Sequence, residues 1–256
     1  MTETQPTVRS TETQSAVRAI DLGQSFGERV IYQHVSFQVA RGEVFVILGG
    51  SGSGKSTLLR QIIGLLPPAQ GKVEILGRDV YSGGAEVLAR IGVMFQSGAL
   101  FGSMTLLENV MLPLEMHTAL PPQARAEVAR VKLGLVGLGD AAELLPAEIS
   151  GGMTKRAAIA RALALDPPLL FLDEPSAGLD PATSAGLDRL ILNLRQELDT
   201  TFVVVTHELA SILAIADRCI MLDATAHGVI AEGDPRKLRD ASDNPTVRRF
   251  FRREAA

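Results

Sequence analysis

Residues 44–56 read VFVILGGSGSGKS, and this stretch decides the fold. Its first five residues are apolar throughout, which is typical of a strand buried on both faces. Residues 49–56 fit the pattern GxxxxGK[ST], in which glycines let backbone N–H groups converge on a phosphate at the start of a helix. The order of strand, glycine-rich loop and helix predicts a site for a nucleoside triphosphate but does not specify a reaction.

Residues 49–56, called the phosphate loop below, supply most of the candidate ligand contacts. We expect Lys55 to reach the β- and γ-phosphates and Ser56 to bind Mg²⁺ through its hydroxyl. The other candidate contacts are Gly49, Gly50, Ser51, Gly52, Ser53, Gly54 and Thr57. A flexible loop with an incidental lysine is the alternative, and the flanking strand and helix disfavour it.

A second apolar run, residues 169–172, ends in the adjacent carboxylates Asp173 and Glu174. The carboxyl ends of parallel strands form the edge where ligands bind. We therefore expect Asp173 to hold Mg²⁺ through water and Glu174 to orient or deprotonate an attacking water. Two solvated acids at the end of a strand are the alternative, which the phosphate loop makes less attractive.

Composition narrows the class of protein. The 256 residues carry a net charge of −4, which disfavours a globally basic nucleic-acid binder, and we expect no nucleic-acid partner. Cys219 is the only cysteine, which excludes an internal disulfide or a multi-cysteine metal site. No run approaches the roughly 18–20 apolar residues of a membrane helix. The polar start carries no apolar segment of the kind found in signal peptides.

Alternating apolar strands and helices predict an α/β protein with a mainly parallel sheet. Strands are expected near 17–22, 30–39, 43–48, 72–76, 91–95, 169–173 and 202–206, and helices near 56–66, 106–114, 124–135, 152–165 and 183–198. We predict a disordered polar tail at 1–16, one domain at 17–240 and an amphipathic extension at 241–256. Residues 97–150 are expected to form an inserted helical subdomain, with prolines 113, 121, 122 and 146 at helix ends.

A third motif, Ser150-Gly151-Gly152, opens a predicted helix. A serine N-cap followed by free backbone N–H groups can bind an anion, although SGG alone is usually a turn. Its position 23 residues before Asp173 favours the anion site.

The phosphate loop, the Ser150-Gly151-Gly152 motif and the Asp173–Glu174 pair follow one another along the chain. With its motifs in this order, the chain resembles the ATP-binding subunits of ABC transporters over about residues 17–235. The resemblance implies the ABC ATPase fold, with an antiparallel β subdomain, and ATP and Mg²⁺ as cofactors. It identifies residues 149–153 as the signature segment. It makes Gln96 a glutamine that contacts Mg²⁺ and water, His207 a γ-phosphate sensor, and Asp180 part of the D-loop (residues 176–180). Phe26 matches the aromatic residue that stacks on adenine, with Tyr32 as the weaker alternative.

The family resemblance also implies a head-to-tail pair of identical subunits. Ser150 and Gly152 of one copy would bind the γ-phosphate held by Lys55 of the other, with Glu174 as the activating carboxylate. Hydrolysis would remove that bridge and let the pair open.

Two segments look like the Mla-type, MCE-associated lipid transporter ATPases of Gram-negative bacteria. These are FQSGALF at residues 95–101 and a signature segment ending in Met153. The resemblance implies an integral permease, an MCE-domain substrate-binding protein, often a STAS-domain protein, and phospholipid as cargo. It implies a peripheral position at the cytoplasmic face of the inner membrane. Gly50, in place of the usual proline, and Lys155 depart from the familiar pattern.

Two other functions remain open at this point. One is the ATPase of an importer for a small polar solute, and the other is a soluble ABC ATPase outside transport. At the C-terminus, Val247, Phe250 and Phe251 share one helical face among arginines. That face either packs on its own domain or docks on a second subunit.

Overall fold

The structure is a computed structural model, and it describes residues 15–253. Its strands are β1 (Ser15–Phe26), β2 (Arg29–Ala40), β3 (Val44–Gly49), β4 (Gln70–Ile75), β5 (Arg78–Asp79), β6 (Ile91–Met94), β7 (Leu169–Asp173), β8 (Thr201–Val205), β9 (Arg218–Asp223) and β10 (Gly228–Gly233). Its helices are α1 (Lys55–Ile62), α2 (Val80–Leu88), α3 (Leu106–His117), α4 (Pro122–Leu135), α5 (Gly151–Ala162), α6 (Pro181–Leu198), α7 (Leu209–Ile215), α8 (Pro235–Ala241) and α9 (Pro245–Arg252). The tail predicted at 1–16 lies outside the described residues, except that Ser15 and Ala16 begin β1.

Six strands form the central sheet in the order β10-β9-β3-β8-β7-β6. Every neighbouring pair is parallel except β10 with β9. Along β3, Val44, Val46 and Leu48 enter the core on one face, and Phe45 and Ile47 enter the core on the other. This alternation explains why the strand is apolar at every position. The predicted α/β class with a mainly parallel sheet is confirmed.

A second, antiparallel sheet has the order β2-β1-β4-β5. It shares a core with one face of the central sheet and with α1, whose Leu58 and Ile62 are fully buried there. The stacked rings of Phe37 and Phe45, 5.4 Å between centroids, join the two sheets directly. The antiparallel β layer implied by the family resemblance is therefore present.

Helices α3, α4 and α5 pack on the opposite face of the central sheet. A capping box between Thr105 and Glu108 starts α3. Pro113 was predicted at a helix end, and that prediction is wrong, because α3 runs on to His117. One lost N–H bond at Pro113 is compatible with the helix, since Val110 and Leu114 bury the face around it.

Several boundaries differ from the sequence prediction for local reasons. Helix α1 ends at Ile62, not near residue 66, because Gly64 takes a left-handed φ of 78°. Helix α5 ends at Ala162, not near 165, and is followed by Asp166 at a left-handed φ of 49° and then by Pro167. Sequence analysis assigned no structure to α2, α7, α8, β9 and β10.

Helix α9 uses its apolar face within the chain. Val247 and Phe251 are buried in the core beside the central sheet, and Phe250 packs edge-on against Phe251. Of the two alternatives for this face, packing on its own domain therefore explains the burial of Val247 and Phe251. Across residues 15–253, none of the helices has the length and apolar character needed to cross a membrane.

Candidate functional site

The ends of three parallel strands bring the predicted site residues to one edge of the central sheet. Asp173 of β7 pairs with Val205 of β8, and Val205 pairs with Ile47 of β3. The phosphate loop, Glu174 and His207 follow these strands within two residues. Their convergence follows from the sheet register, since parallel strands end at a common edge.

The glycines of the phosphate loop fall into two groups: some pack closely against neighbouring residues, and others face open space. A Cβ on Gly54 would lie 2.8 Å from Ile31 Cγ2 and from Tyr32 Cδ1, and its φ is 94°. A Cβ on Gly49 would lie 2.4 Å from the Leu222 carbonyl oxygen. At Gly50 and Gly52 an added Cβ meets nothing within 4 Å. The two ends of the loop therefore pack tightly against neighbouring residues, and the part between them is open to solvent. A loop of this shape can bind a ligand with its backbone N–H groups.

The side chains of the loop divide between solvent and interior. Lys55 folds back, and its Nζ donates to the carbonyl oxygens of Gly49 and Gly50 at 2.8 and 3.1 Å. Burial lowers the pKa of Lys55, and the nearby carboxylates of Glu174 and Asp173 oppose that shift. Ser51 and Ser56 are exposed, Thr57 is half-buried and Ser53 is buried.

Glu174 occupies an unusual backbone position. Its φ is 45°, in the left-handed region that a non-glycine residue rarely adopts. Its N–H donates to the Val205 carbonyl at 2.8 Å, and its Oε1 lies 2.8 Å from Nδ1 of His207. The side chain of Glu174 is thereby aimed at the residue predicted to sense the γ-phosphate.

Among residues 15–253, four buried side-chain oxygens of the site have no hydrogen-bond partner. They are Ser53 Oγ, Asp173 Oδ1, Glu174 Oε2 and Ser176 Oγ. Buried polar atoms are nearly always satisfied, so such a cluster indicates groups that await a ligand, an ion or water. Burial, and then the neighbouring Glu174, raise the pKa of Asp173, while Arg60 and Lys155 oppose that shift. Carboxylate and hydroxyl oxygens are the ligands Mg²⁺ prefers, so these residues fit the predicted metal.

Gln96, just after β6, lines the same open cleft as Asp173, a space of about 720 Å³ that also borders Arg60 and Lys155. The structure therefore places Gln96 near the predicted metal carboxylate. The Gln96 carbonyl accepts a hydrogen bond from Lys155, whose pKa is lowered by burial. Sequence analysis singled out neither Arg60 nor Lys155 as a functional residue.

The signature segment lies at the start of α5. Ser150 caps the helix by accepting from the Met153 N–H at 3.3 Å. A Cβ on Gly152 would lie 2.5 Å from Thr183 Cγ2, so any larger residue there would force Thr183 to move. Within residues 15–253, no hydrogen bond joins Ser150 to the phosphate loop. Within the part of the chain that the structure describes, the two predicted halves of the phosphate site are therefore not joined by a direct hydrogen bond.

Asp180 serves the fold as the N-cap of α6. Its Oδ1 accepts from the N–H groups of Ala182 and Thr183 at 3.0 and 3.1 Å. Hydrogen bonds from Thr183 lower the pKa of Asp180. Its contact with a nucleotide stays a prediction.

The two aromatic candidates for an adenine platform have different environments. Phe26 ends β1 and is 53% exposed, whereas Tyr32 is fully buried. The Tyr32 hydroxyl donates to Gln61 Oε1 at 2.7 Å, and the ring packs under Gly54. Tyr32 is therefore a core residue, and Phe26 is the candidate that a base can reach.

Comparison with known proteins decides the family. A sequence profile of the ABC transporter family matches residues 32–177. The chain belongs to the ABC transporter family. It is an ABC-type ATPase, and ATP is its nucleotide.

Two relatives are similar to this ABC ATPase over most of its length. "Probable ribonucleotide transport ATP-binding protein mkl" of Mycobacterium leprae is 42% identical over 240 residues, covering 92% of this chain and 68% of that protein. "Intermembrane phospholipid transport system ATP-binding protein MlaF" of Escherichia coli K12 is 41% identical over 235 residues, covering 90% and 86%. The resemblance to Mla-type ATPases is thereby confirmed. For other Mkl proteins the chain spans 64% of the relative's length, so it matches only part of them.

A solved structure is similar over most of its length. This is the dimeric post-hydrolysis state of the ATP-binding cassette MJ0796, bound to ADP and Pi. It superimposes with a TM-score of 0.75 at 33% identity, covering 85% of this ABC ATPase and 98% of that chain. The ABC ATPase fold expected from the sequence is confirmed.

Proposed function

We propose that the chain hydrolyses ATP with Mg²⁺ at the interface of a head-to-tail homodimer and thereby powers lipid transport. The observation that carries the dimer concerns the signature segment and the phosphate loop of one chain. Ser150 and Gly152 at the start of α5 make no hydrogen bond to the phosphate loop within the described residues. Two copies that pack head to tail complete both sites, and the dimeric state of MJ0796 supports this arrangement.

Observed contacts or unpartnered atoms support the roles of Lys55, Asp173, Glu174 and His207. The roles of Ser56 and Gln96 follow from the family resemblance. Lys55, already held at the loop carbonyls, would bind the β- and γ-phosphates. Ser56, Gln96 and Asp173 would hold Mg²⁺, which neutralises developing phosphate charge when bound. Glu174 would accept the proton of the attacking water at its unpartnered Oε2, while His207 fixes Oε1 and contacts the γ-phosphate.

The proposed cargo is phospholipid, moved between the inner and outer membranes of a Gram-negative envelope. Similarity to MlaF along 86% of that protein supports this cargo, together with the FQSGALF segment. An integral permease, an MCE-domain protein and a STAS-domain protein would complete the transporter, with this subunit at the cytoplasmic face of the inner membrane.

One surface fits the permease. A cleft of about 420 Å³ opens between α2, α3 and α5, lined by Leu88, Pro113 and Leu165 among others. Two large apolar side chains are also exposed. Phe101 precedes α3, and Met116 lies within it. Helix α3 lines the cleft through Pro113 and also carries the exposed Met116, and exposed apolar side chains are a feature of binding faces.

Import of a polar solute is the second candidate. The Mkl relatives, named for ribonucleotide transport, are as similar to this chain as MlaF is, although the match covers about two thirds of their length. A soluble ABC ATPase outside transport has no comparable support among these relatives.

Affinity purification of the tagged full-length chain from detergent-solubilised membranes tests the transport proposal. Mass spectrometry of the eluate should identify a permease and an MCE-domain protein, with phospholipid retained in the complex. Recovery with a solute-binding protein and a ribonucleotide would favour the second candidate. A Phe101→Asp, Met116→Asp variant should lose the permease while keeping ATP binding, which ties the interaction to the α3 surface.

A further inference from the structure

Lys155 connects parts of the site that lie far apart in sequence. It sits in the second turn of α5, and only 7% of the residue is exposed. Its ammonium donates to the backbone carbonyl of Gln96 and to that of Glu174, the latter at 3.3 Å. Since α5 begins with the signature segment, one side chain joins that segment to Gln96 and to the end of β7.

Glu174 depends on such contacts because its backbone is strained. A left-handed conformation is costly for a non-glycine residue and persists only where its surroundings hold it. The Val205 carbonyl accepts from the N–H of Glu174, and His207 contacts Oε1. The Glu174 carbonyl accepts from the Lys155 ammonium at 3.3 Å and from the Ala177 N–H at 3.2 Å. Removal of Lys155 takes away the charged donor to this carbonyl and leaves it only the Ala177 N–H, which weakens the hold on the strained Glu174 backbone.

The segment after Gln96 is fastened to the same helix. Gly98 packs so closely on α5 that a Cβ would lie 3.3 Å from Thr154 Cγ2. Arg161, further along α5, donates to the carbonyls of Gly98 and Ala99 at 3.0 and 2.7 Å. Residues 96–99 are therefore bound to α5 at several points, and Lys155 is the contact that extends this link to Glu174.

We propose that Lys155 is a positioning residue that keeps Glu174 in its hydrolytic geometry and links the two ATP sites of the dimer. This inference rests on the proposed head-to-tail dimer, in which α5 serves the partner's nucleotide while Glu174 serves the chain's own. A shift of α5 on engagement of one nucleotide is then transmitted through the Lys155 ammonium to the carboxylate of the other site.

Lys155→Met tests the proposal, since methionine retains much of the apolar stem and removes the donor. In the purified full-length protein we expect the kcat for ATP hydrolysis to fall about tenfold, which corresponds to one charge-assisted hydrogen bond. The dissociation constant for ATP should change less than twofold, and the Hill coefficient for ATP should fall towards one. Lys155→Arg, which keeps a charged donor, should restore most of kcat.

Lys132→Met is the matched control. Lys132 is a buried lysine of α4 whose Nζ is bound to Asp166, away from the phosphate loop. It should lower the unfolding temperature but leave kcat and the Hill coefficient unchanged.

Three outcomes would overturn the assignment. They are wild-type kcat and cooperativity in Lys155→Met, equal losses of kcat and ATP affinity, or no rescue in Lys155→Arg. The proposed function fails separately, and it does so if the wild-type chain neither hydrolyses ATP nor forms an ATP-dependent dimer.

Discussion

His207 Nδ1 lies 2.8 Å from Glu174 Oε1, although the two residues follow different strands and are separated by 33 positions. The contact forms because β7 and β8 are parallel neighbours and Glu174 turns into a left-handed conformation directly after β7. The imidazole is still half-exposed, so it can contact a ligand while it orients the carboxylate. The pair therefore joins the proposed water-activating group to the proposed phosphate sensor.

His207→Ala should reduce the kcat for ATP hydrolysis about a hundredfold, the usual effect of removing one preorganised catalytic contact. Folding should be unaffected, because 57% of the side chain is exposed. His34→Asn is the control, since His34 makes an equivalent 2.8 Å contact with Asp21 on the antiparallel sheet. Steady-state kinetics of both variants check the prediction, and equal activities would contradict the role of His207.

Phe26→Ala should raise the dissociation constant for ATP about tenfold, because base–aromatic stacking contributes about 1–3 kcal/mol. The unfolding temperature should stay constant, since Phe26 is exposed. Titration with a fluorescent ATP analogue measures the affinity.

Tyr32→Phe should show the opposite pattern. Loss of the hydroxyl removes the hydrogen-bond donor to the buried amide oxygen of Gln61. This loss should lower the free energy of unfolding by about 1–3 kcal/mol. ATP affinity should change less than twofold. A large loss of affinity in Tyr32→Phe with none in Phe26→Ala would reverse the assignment of the adenine platform.

The two aromatic residues show what sequence could and could not decide. The phosphate loop and the Asp173–Glu174 pair were predictable because each motif is contiguous and its neighbours define a strand or a helix. Choosing between Phe26 and Tyr32 required burial, which depends on how the antiparallel sheet packs over α1. Position relative to a strand end favoured Phe26 but did not show that Tyr32 is fully buried.

Lys155 was not predictable as a functional residue. Its partners lie 59 and 19 positions away and bind through backbone carbonyls, which leave no mark on the sequence. Strand β9 was missed for a different reason. It carries no predicted site residue, yet it pairs with β3 as the second strand of the central sheet, and its Leu222 carbonyl lies close to Gly49. Pro113 is a further example. Proline usually marks a helix end, but α3 continues past Pro113 because Val110 and Leu114 are buried around it.

Two glycine-to-alanine substitutions in the phosphate loop should have very different effects on ATP affinity. Gly54→Ala should abolish ATP binding, because its Cβ would collide with Ile31 and Tyr32 at a left-handed φ. Gly50→Ala should bind ATP within about threefold of wild type, since its Cβ enters open space. Isothermal titration with ATP and Mg²⁺ compares them, and equal affinities would show that the cradle is not shaped as described.

Asp173→Asn should change how stability depends on pH. Burial and the neighbouring Glu174 raise the pKa of Asp173, so its contribution to stability is fully present below the unfolded-state pKa. That contribution is lost as pH rises through the folded-state pKa. In nucleotide-free protein at neutral pH, Asp173→Asn should therefore unfold at an equal or higher temperature than wild type.

Thermal unfolding between acid and neutral pH measures this difference. The advantage of Asp173→Asn should shrink as pH falls. A variant that is less stable than wild type at neutral pH, by the same margin as in acid, would contradict the electrostatic account of this carboxylate.

Hydrolysis and self-association of Glu174→Gln, measured together, test the central claim most directly. The amide cannot accept the proton of water, so kcat should fall at least about a hundredfold while ATP affinity is retained. With ATP and Mg²⁺, light scattering should show a stable dimer that returns to monomer when ATP is removed. ATP hydrolysis at the wild-type rate, or a monomer in saturating ATP, would contradict the account.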